Sequence, residues 1–178
     1  MLEWGRSAAQ NDFIAPTAPL CSIVDMANTY TQIYIHVVFA VEGRQSLISS
    51  DHKDELQKYI TGIVANKGQK VIAINNMPDH FHLLIGLKPT MSLSELIAAV
   101  KASSSGFIND RRWVKGKFRW QEGFGAFSYS HSHLGRVIRY IANQESHHRK
   151  GTFREEYMQM LKRFEVPHDD RYVFKEIA

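Results

Sequence analysis

Hydrophobic residues alternate with polar ones in several short stretches, which predicts β-strands. Residues 29–43 ("TYTQIYIHVVFAVEG") are rich in β-branched and aromatic residues, and both faces are apolar, as in a central strand. Residues 69–75 ("QKVIAIN") and 80–87 ("HFHLLIGL") predict two further strands, joined by the turn "NMPD" into a hairpin. A short fourth strand is predicted at 126–130 ("AFSYS").

Hydrophobic residues recur every three or four positions in the remaining stretches, which predicts helices. Capping boxes from Ser92 to Glu95 and from Thr152 to Glu155 mark the starts of two of them, and Gly151 stops the helix before the second box. The helices are predicted at 50–66, from 92 into a loop near 111, at about 133–149, and at 152–164.

The predicted order is strand, helix, strand, strand, helix, strand, helix, helix. The first six elements match the split βαβ arrangement of a ferredoxin-like α+β sandwich (βαββαβ), with an antiparallel four-stranded sheet and helices on one face. We expect this fold to occupy residues 26–165 and to include the C-terminal helices. Residues 1–25 would be an extension outside the fold, and 166–178 a polar tail. Many functions share such a fold, so it decides none.

Charge adds a first functional indication. The whole chain is +4, but residues 97–150 alone carry ten Lys/Arg and three acids. A positive field of this kind suits a polyanion such as DNA, although a solvated basic face would look the same.

The cysteine content and the lack of long apolar runs exclude several classes of protein. A single cysteine, Cys21, rules out a disulfide framework and a cysteine-rich zinc site, and fits a reducing compartment such as the cytoplasm. No run approaches 18 apolar residues, and residues 1–25 lack the pattern of a secretory signal, so we expect no membrane segment.

Two histidines open the third predicted strand. Residues i and i+2 of a strand point the same way, so His80 and His82 would project from one face about 7 Å apart, close enough to share a metal ion. Two polar residues at a strand entrance would give the same pattern, and a metal site needs a third ligand from elsewhere.

The helix predicted at 133–149 offers such ligands. Tyr140 and Gln144 lie about 40° apart on the helical wheel, beside the apolar arc, and His133, Arg136 and His147 extend the same stripe. Taken alone, this stripe is more typical of a solvated helix flank with a half-buried tyrosine.

Together these segments resemble a known family. "PDHFHLLIGL" followed by "VIRYIANQESHHRKGTFREEY", with the opening "TYTQIYIHVVFAVEGR" and the segment "WQEGFGAFSYS", is similar to the single-tyrosine transposases of the HUH superfamily, insertion-sequence 200/605 type. His80, Phe81 and His82 match its His-hydrophobe-His motif, and Tyr140 and Gln144 match its Y-x-x-x-Q motif. The resemblance covers residues 26 to about 165, whereas residues 1–25 match nothing in the family.

The resemblance implies a specific chemistry. Tyr140 would attack a phosphodiester of single-stranded DNA, forming a 5′-phosphotyrosine and releasing a 3′-hydroxyl, and attack by another 3′-hydroxyl would join new ends. His80, His82 and Gln144 would bind Mg²⁺ or Mn²⁺, which would polarise the phosphate for a weakly nucleophilic phenol.

The resemblance also implies partners. The protein would be a homodimer, with each tyrosine helix completing the partner's site in trans, and would act on DNA hairpins at element ends. The basic loop offers candidate phosphate contacts and two tryptophans that could stack on bases. These candidates are Arg111, Arg112, Lys115, Lys117 and Arg119, with Trp113 and Trp120, and Arg136 on the tyrosine helix.

Other readings of the same residues stay open. The histidines could serve a metal-dependent phosphodiester hydrolase that uses bound water, or the chain could be a non-catalytic ferredoxin-like nucleic-acid-binding module with Tyr140 as a stacking platform. A domesticated enzyme that processes chromosomal repeats is a close variant of the transposase. Tyr129 and Tyr157 are alternative nucleophiles, and His36 is expected to be structural.

Overall fold

The computed structural model describes residues 29–149, 151–169 and 173. The predicted extension at 1–25, and residues 170–172 and 174–178 of the predicted tail, lie outside these residues. The chain divides into two compact units, Met1–Tyr30 and Thr31–Ala178, and every element below belongs to the second. Among the described residues, no helix is both long and apolar enough to cross a bilayer.

The sheet has the predicted four antiparallel strands, in the order β2-β3-β1-β4. The strands are β1 (Tyr34–Ala40), β2 (Lys70–Asn76), β3 (His80–Gly86) and β4 (Gly125–Tyr129). The two strands with apolar residues on both faces, β1 and β3, are the central pair, because only central strands are covered on both sides.

The helices agree with the predictions except in one place. They are α1 (Lys53–Asn66), α2 (Leu93–Asp110), α3 (Leu134–Ala142), α4 (Gln144–His148) and α5 (Phe153–Arg163). Both predicted capping boxes form, at Ser92 with Glu95 and at Thr152 with Glu155. The α+β ferredoxin-like prediction is therefore confirmed.

The prediction of one continuous helix over 133–149 is wrong, because the helix breaks at Asn143, whose ψ is 22°. The side-chain amide of Asn75 on β2 donates to the carbonyl oxygens of Ile141 at 2.7 Å and Ala142 at 3.4 Å. These are the carbonyls that the next helical turn would need, so a tertiary contact ends α3.

Two apolar layers cover the two faces of the sheet. On one face, Val37, Phe39, Phe81 and Leu83 pack into the main core, to which α1 and α2 also contribute. On the other face, Val38 and Leu84 belong to smaller clusters with residues of α3 and α5. Alternation along β3 therefore sends His80 and His82 to the face that α3 and α5 cover.

Candidate active site

His80 and His82 occupy the centre of the sheet and are fully buried. Strand β3 pairs with β1 on one side and with β2 on the other, placing His82 opposite Val38 and Asn75. The polar pair predicted at a strand entrance is thus enclosed by neighbouring strands and by the helices above, where an imidazole needs polar partners.

His36 is the diagonal neighbour of His82 across β1 and β3. Its Nε2 and Nδ1 of His82 share a hydrogen bond at 3.0 Å, and the two rings stack with centroids 5.2 Å apart. Burial lowers the pKa of His36 to about 3, so the ring is neutral near pH 7. His36 therefore orients His82, a role more specific than the structural one expected from sequence.

His80 is fixed by two contacts of its own. Its Nδ1 lies 2.7 Å from Oδ1 of Asp79, and its ring stacks on Phe153 with centroids 3.9 Å apart. Both strand histidines are thus held through Nδ1. Their Nε2 atoms are buried and lack a hydrogen-bond partner.

The carboxylate of Glu156 on α5 faces these two Nε2 atoms. Its oxygens lie 4.0 Å from Nε2 of His80 and 3.6 Å from Nε2 of His82. One ligand atom from each of the three residues falls within 4.8 Å of the others. The sequence prediction missed Glu156, although its position one turn after Phe153 and one before Met160, both buried, was a usable indication.

Tyr140 and Gln144 meet the same carboxylate. The Tyr140 hydroxyl donates to Oε1 of Glu156, and Nε2 of Gln144 donates to the same oxygen at 2.9 Å. The Tyr140 ring stands edge-on to His82, with centroids 6.1 Å apart. The helix break at Asn143 separates the two residues, yet both side chains reach Glu156, and Gln144 is fully buried.

Burial and the negative charge of Glu156 raise the pKa of Tyr140 well above its usual value, and the hydrogen bond to Glu156 adds to the effect. The phenol is therefore held protonated in this arrangement. A positive charge beside Glu156 would oppose that effect.

His148 on α4 also contacts Glu156, through the carboxylate oxygen that Tyr140 and Gln144 do not use. Its Nε2 lies 2.9 Å from Oε2 of Glu156 and 3.1 Å from Oε1 of Gln144. Burial lowers its pKa, the nearby His80 lowers it further, and Glu156 opposes the change.

The residues present fit a divalent cation. Two buried imidazole nitrogens without partners and a carboxylate oxygen converge on one point, and imidazole and carboxylate are ligands that Mn²⁺ and related ions accept. Gln144 presents its amide nitrogen to Glu156 and its oxygen to His148. Coordination by Gln144 would therefore require its amide to rotate.

Comparison with known proteins identifies the family. The family model described as transposase IS200 like matches residues 29–144, which is more than half of the chain. The chain belongs to the IS200-like transposase family. The predicted resemblance is therefore confirmed, and it places this transposase among the proteins of DNA transposition and recombination.

Individual relatives agree. This IS200-like chain is 25% identical to the ISDra2 transposase TnpA of Deinococcus radiodurans over 120 residues, 64% of this chain and 84% of that protein. A crystal structure from Deinococcus radiodurans R1, described as a transposase candidate, has a TM-score of 0.52 and 22% identity over 65% of this chain and 93% of its own. A REP-associated tyrosine transposase bound to a REP hairpin has a TM-score of 0.54 and 14% identity over 85% and 96%.

The basic loop of this transposase lies apart from the histidines. Trp113 and Phe118 pack into the core on the α1–α2 side of the sheet, opposite the face that carries His80 and His82. Arg111 forms an ion pair with Glu55 at 2.8 Å. The structure thus does not bring the loop to Tyr140, and contacts between DNA and Arg111, Arg112, Lys115, Lys117 or Arg119 stay a prediction.

The structure corrects the stacking prediction for Trp120, whereas that for Trp113 stays a prediction. Trp120 is only 7% exposed, and its Nε1 donates to Oγ of Ser104 at 2.8 Å, so it is a core residue with no face free for a base. One face of Trp113 is stacked on His52, with centroids 4.2 Å apart. The sequence could not distinguish these roles, because aromatic residues suit both a core and a stacking surface.

The other tyrosines lie differently. Tyr157 packs against Gly125 and the Phe127 ring, and Tyr129 packs against the Phe164 ring at 5.1 Å. Tyr140 is the tyrosine whose hydroxyl donates to Glu156. Arg136, one turn before Tyr140 on α3, is exposed beside it.

Proposed function

We propose that the protein cleaves and rejoins single-stranded DNA by transesterification, with Tyr140 as the nucleophile. The phenol oxygen would give up its proton and bond to phosphorus as the bond to the 3′-oxygen breaks, and the departing oxygen would take up a proton and leave as a 3′-hydroxyl. Attack of a second 3′-hydroxyl on the phosphotyrosine would reverse the step on a new strand. The observation that carries this proposal is the contact of the Tyr140 hydroxyl with the carboxylate that faces two unpartnered imidazole nitrogens.

We also propose that His80, His82 and Gln144 bind Mg²⁺ or Mn²⁺, with Glu156 as a further ligand. The ion would polarise the scissile phosphate and stabilise the charge that develops on it. The carboxylate adds a hard oxygen ligand to the set expected from sequence, which suits both cations. Asp79 and His36 would hold the two imidazoles in orientation through their Nδ1 atoms.

The substrate proposal rests on the family and on its relatives. A protein of this fold is bound to a REP hairpin, so we propose that this chain also recognises hairpins. The homodimer with sites completed in trans stays a prediction. Within one chain, Tyr140 already lies beside its own His82.

The test is a covalent adduct assay. Labelled single-stranded DNA hairpins are incubated with the protein and Mg²⁺ or Mn²⁺, then resolved on a denaturing protein gel. Wild-type protein should carry label, and Tyr140→Phe should carry none while still binding DNA. Tyr157→Phe, a matched change of a neighbouring tyrosine, should keep the adduct.

Two results would contradict the proposal. Cleavage that persists in Tyr140→Phe would indicate a hydrolase that uses a bound water. Hairpin binding without cleavage, for every hairpin tried and with either metal, would indicate a non-catalytic binding module.

A further inference from the structure

A cavity of about 180 Å³ opens between α3 and α5, directly beside the proposed nucleophile. Tyr140 and Glu156 line it, together with Arg136 from α3 and Arg163 from α5. It is separate from the point where the histidine nitrogens converge, because neither His80 nor His82 lines it.

The two arginines supply positive charge to this cavity. Both are exposed, and within the part of the chain that the structure describes neither guanidinium group makes an ion pair or a hydrogen bond. The charge of Arg163 acts on Tyr129, where it opposes the rise in pKa that burial causes. Exposed guanidinium groups with no acidic partner are the groups that bind a phosphodiester, often through two parallel hydrogen bonds.

The cavity also has an apolar wall. Val137 and Met160 are buried beneath it, at 5% and 7% exposure, and the half-buried ring of Tyr129 lies on one side. An aromatic ring can stack on any of the four bases, and a thioether makes favourable contacts with aromatic rings. Such a wall therefore accepts a base whatever the DNA sequence. The cavity thus combines the two contacts that single-stranded DNA uses, phosphate charge and base stacking.

We propose that this cavity binds the nucleotide next to the scissile phosphate, with its backbone phosphate on Arg136 and Arg163 and its base against Tyr129 and Met160. The proposal rests on the proposed function, because Tyr140 defines which phosphate is attacked. It adds Tyr129, Met160 and Arg163 to the DNA contacts, and it gives Arg136 a specific place.

The test compares charge removal inside and outside the cavity on the same two helices. Arg136→Gln/Arg163→Gln is compared with Arg139→Gln/Lys162→Gln, whose residues are exposed on α3 and α5 and do not line the cavity. Both pairs are made in a Tyr140→Phe background, so that no cleavage occurs. Fluorescence anisotropy of labelled oligo(dT) is measured across a range of salt concentrations.

We expect the cavity variant to bind about tenfold more weakly, and the salt slope to fall by about 1.4 for two lost phosphate contacts. The control pair should keep most of the affinity. Arg136→Lys/Arg163→Lys should keep the slope, since the charge remains, and circular dichroism checks that each variant is folded. Equal affinity and slope in the cavity and control variants would overturn the proposal.

A second measurement locates the contact. Neutral methylphosphonates replace the backbone phosphates of the cleaved strand one at a time. A methylphosphonate at the phosphate next to the scissile one should lower the DNA affinity of the Tyr140→Phe protein. It should cause no additional loss of affinity in the cavity variant, which already lacks both arginines. An equal additional loss in both proteins would place the arginines elsewhere on the strand.

The two proposals can fail separately. Suppose that wild-type protein forms the adduct and that the cavity and control variants bind DNA equally well. This result would overturn the proposal for the cavity and support Tyr140 as the nucleophile. No adduct, together with weaker binding by the cavity variant alone, would keep the cavity as a binding site for single strands and overturn the catalytic proposal.

Discussion

Glu156 is the residue on which the proposed site converges. Its side chain is 13% exposed, and it accepts hydrogen bonds from Tyr140 and Gln144 and lies 2.9 Å from His148. A carboxylate this buried is stable only when donors or cations surround it. The same contacts allow two roles for Glu156. It would be a ligand when a cation is bound, and without a cation it accepts the hydrogen bond that keeps the Tyr140 phenol protonated.

Replacing the carboxylate should separate these roles. We expect Glu156→Gln to bind Mn²⁺ at least about 10- to 100-fold more weakly, since that is the loss seen when only the outer groups that orient metal ligands are removed. Isothermal titration calorimetry with Mn²⁺ checks this without any catalytic readout. Glu165→Gln, an exposed carboxylate just past the same helix, is the matched control. Unchanged Mn²⁺ affinity with a larger yield of adduct would instead mean that Glu156 restrains Tyr140 and binds no metal.

At the scale of elements, the position of α5 depends on one close approach to the sheet. A Cβ built on Gly125 of β4 would lie 2.7 Å from the Tyr157 hydroxyl and 2.8 Å from a carbon of its ring. No side chain larger than hydrogen fits there unless the Tyr157 ring or α5 itself moves. Since α5 carries Glu156, the packing of Gly125 and the geometry of the site are linked.

We therefore expect Gly125→Ala to destabilise the protein by about 1–3 kcal/mol, the usual cost of overpacking. Gly62→Ala is the control, because a Cβ on Gly62 in α1 would meet nothing within 4 Å. That change should stabilise by about 0.5–1 kcal/mol, since alanine is the better helix former. Urea denaturation measures both, and a Gly125→Ala protein as stable as wild type would contradict this account of α5.

The predictability of each element follows from where its cause lies. The strands and capping boxes were predictable because alternation and caps are local features of the sequence. The break at Asn143 was not, because its cause is the amide of Asn75, 66 residues before Ile141. The same distinction holds in the site. His80 and His82 form a local motif, whereas the roles of His36 and Glu156 depend on which strand and helix lie beside them.

At the scale of the molecule, the buried histidines make stability depend on pH. Burial lowers the pKa of His36 to about 3 and that of His82 well below its usual value. The unfolded chain binds protons at both residues once the pH drops below about 6.5, whereas the folded protein binds them only at much lower pH. Their contribution is therefore fully present above pH 6.5 and is lost as the pH falls.

Each such histidine should remove about 1.4 kcal/mol of stability per pH unit below its unfolded pKa. Between pH 6 and 4.5, we expect the free energy of unfolding to change less steeply with pH in His36→Gln than in wild type. The difference in slope should be about 1.4 kcal/mol per pH unit, which corresponds to one proton. Urea denaturation of metal-free protein at several pH values measures the slope. The control His131→Gln makes the same substitution at an exposed histidine. An unaltered slope in His36→Gln would mean that the folded protein already carries that proton.

The family match covers the four strands and the tyrosine helix but ends before α5. The match ends at Gln144, so both histidines, the tyrosine and the glutamine lie inside the shared segment, while Glu156 and Arg163 come from the helix after it. Under the proposed mechanism, a relative with a different last helix would keep the proposed nucleophile Tyr140 and differ in the carboxylate beside it and in the arginine of the cavity.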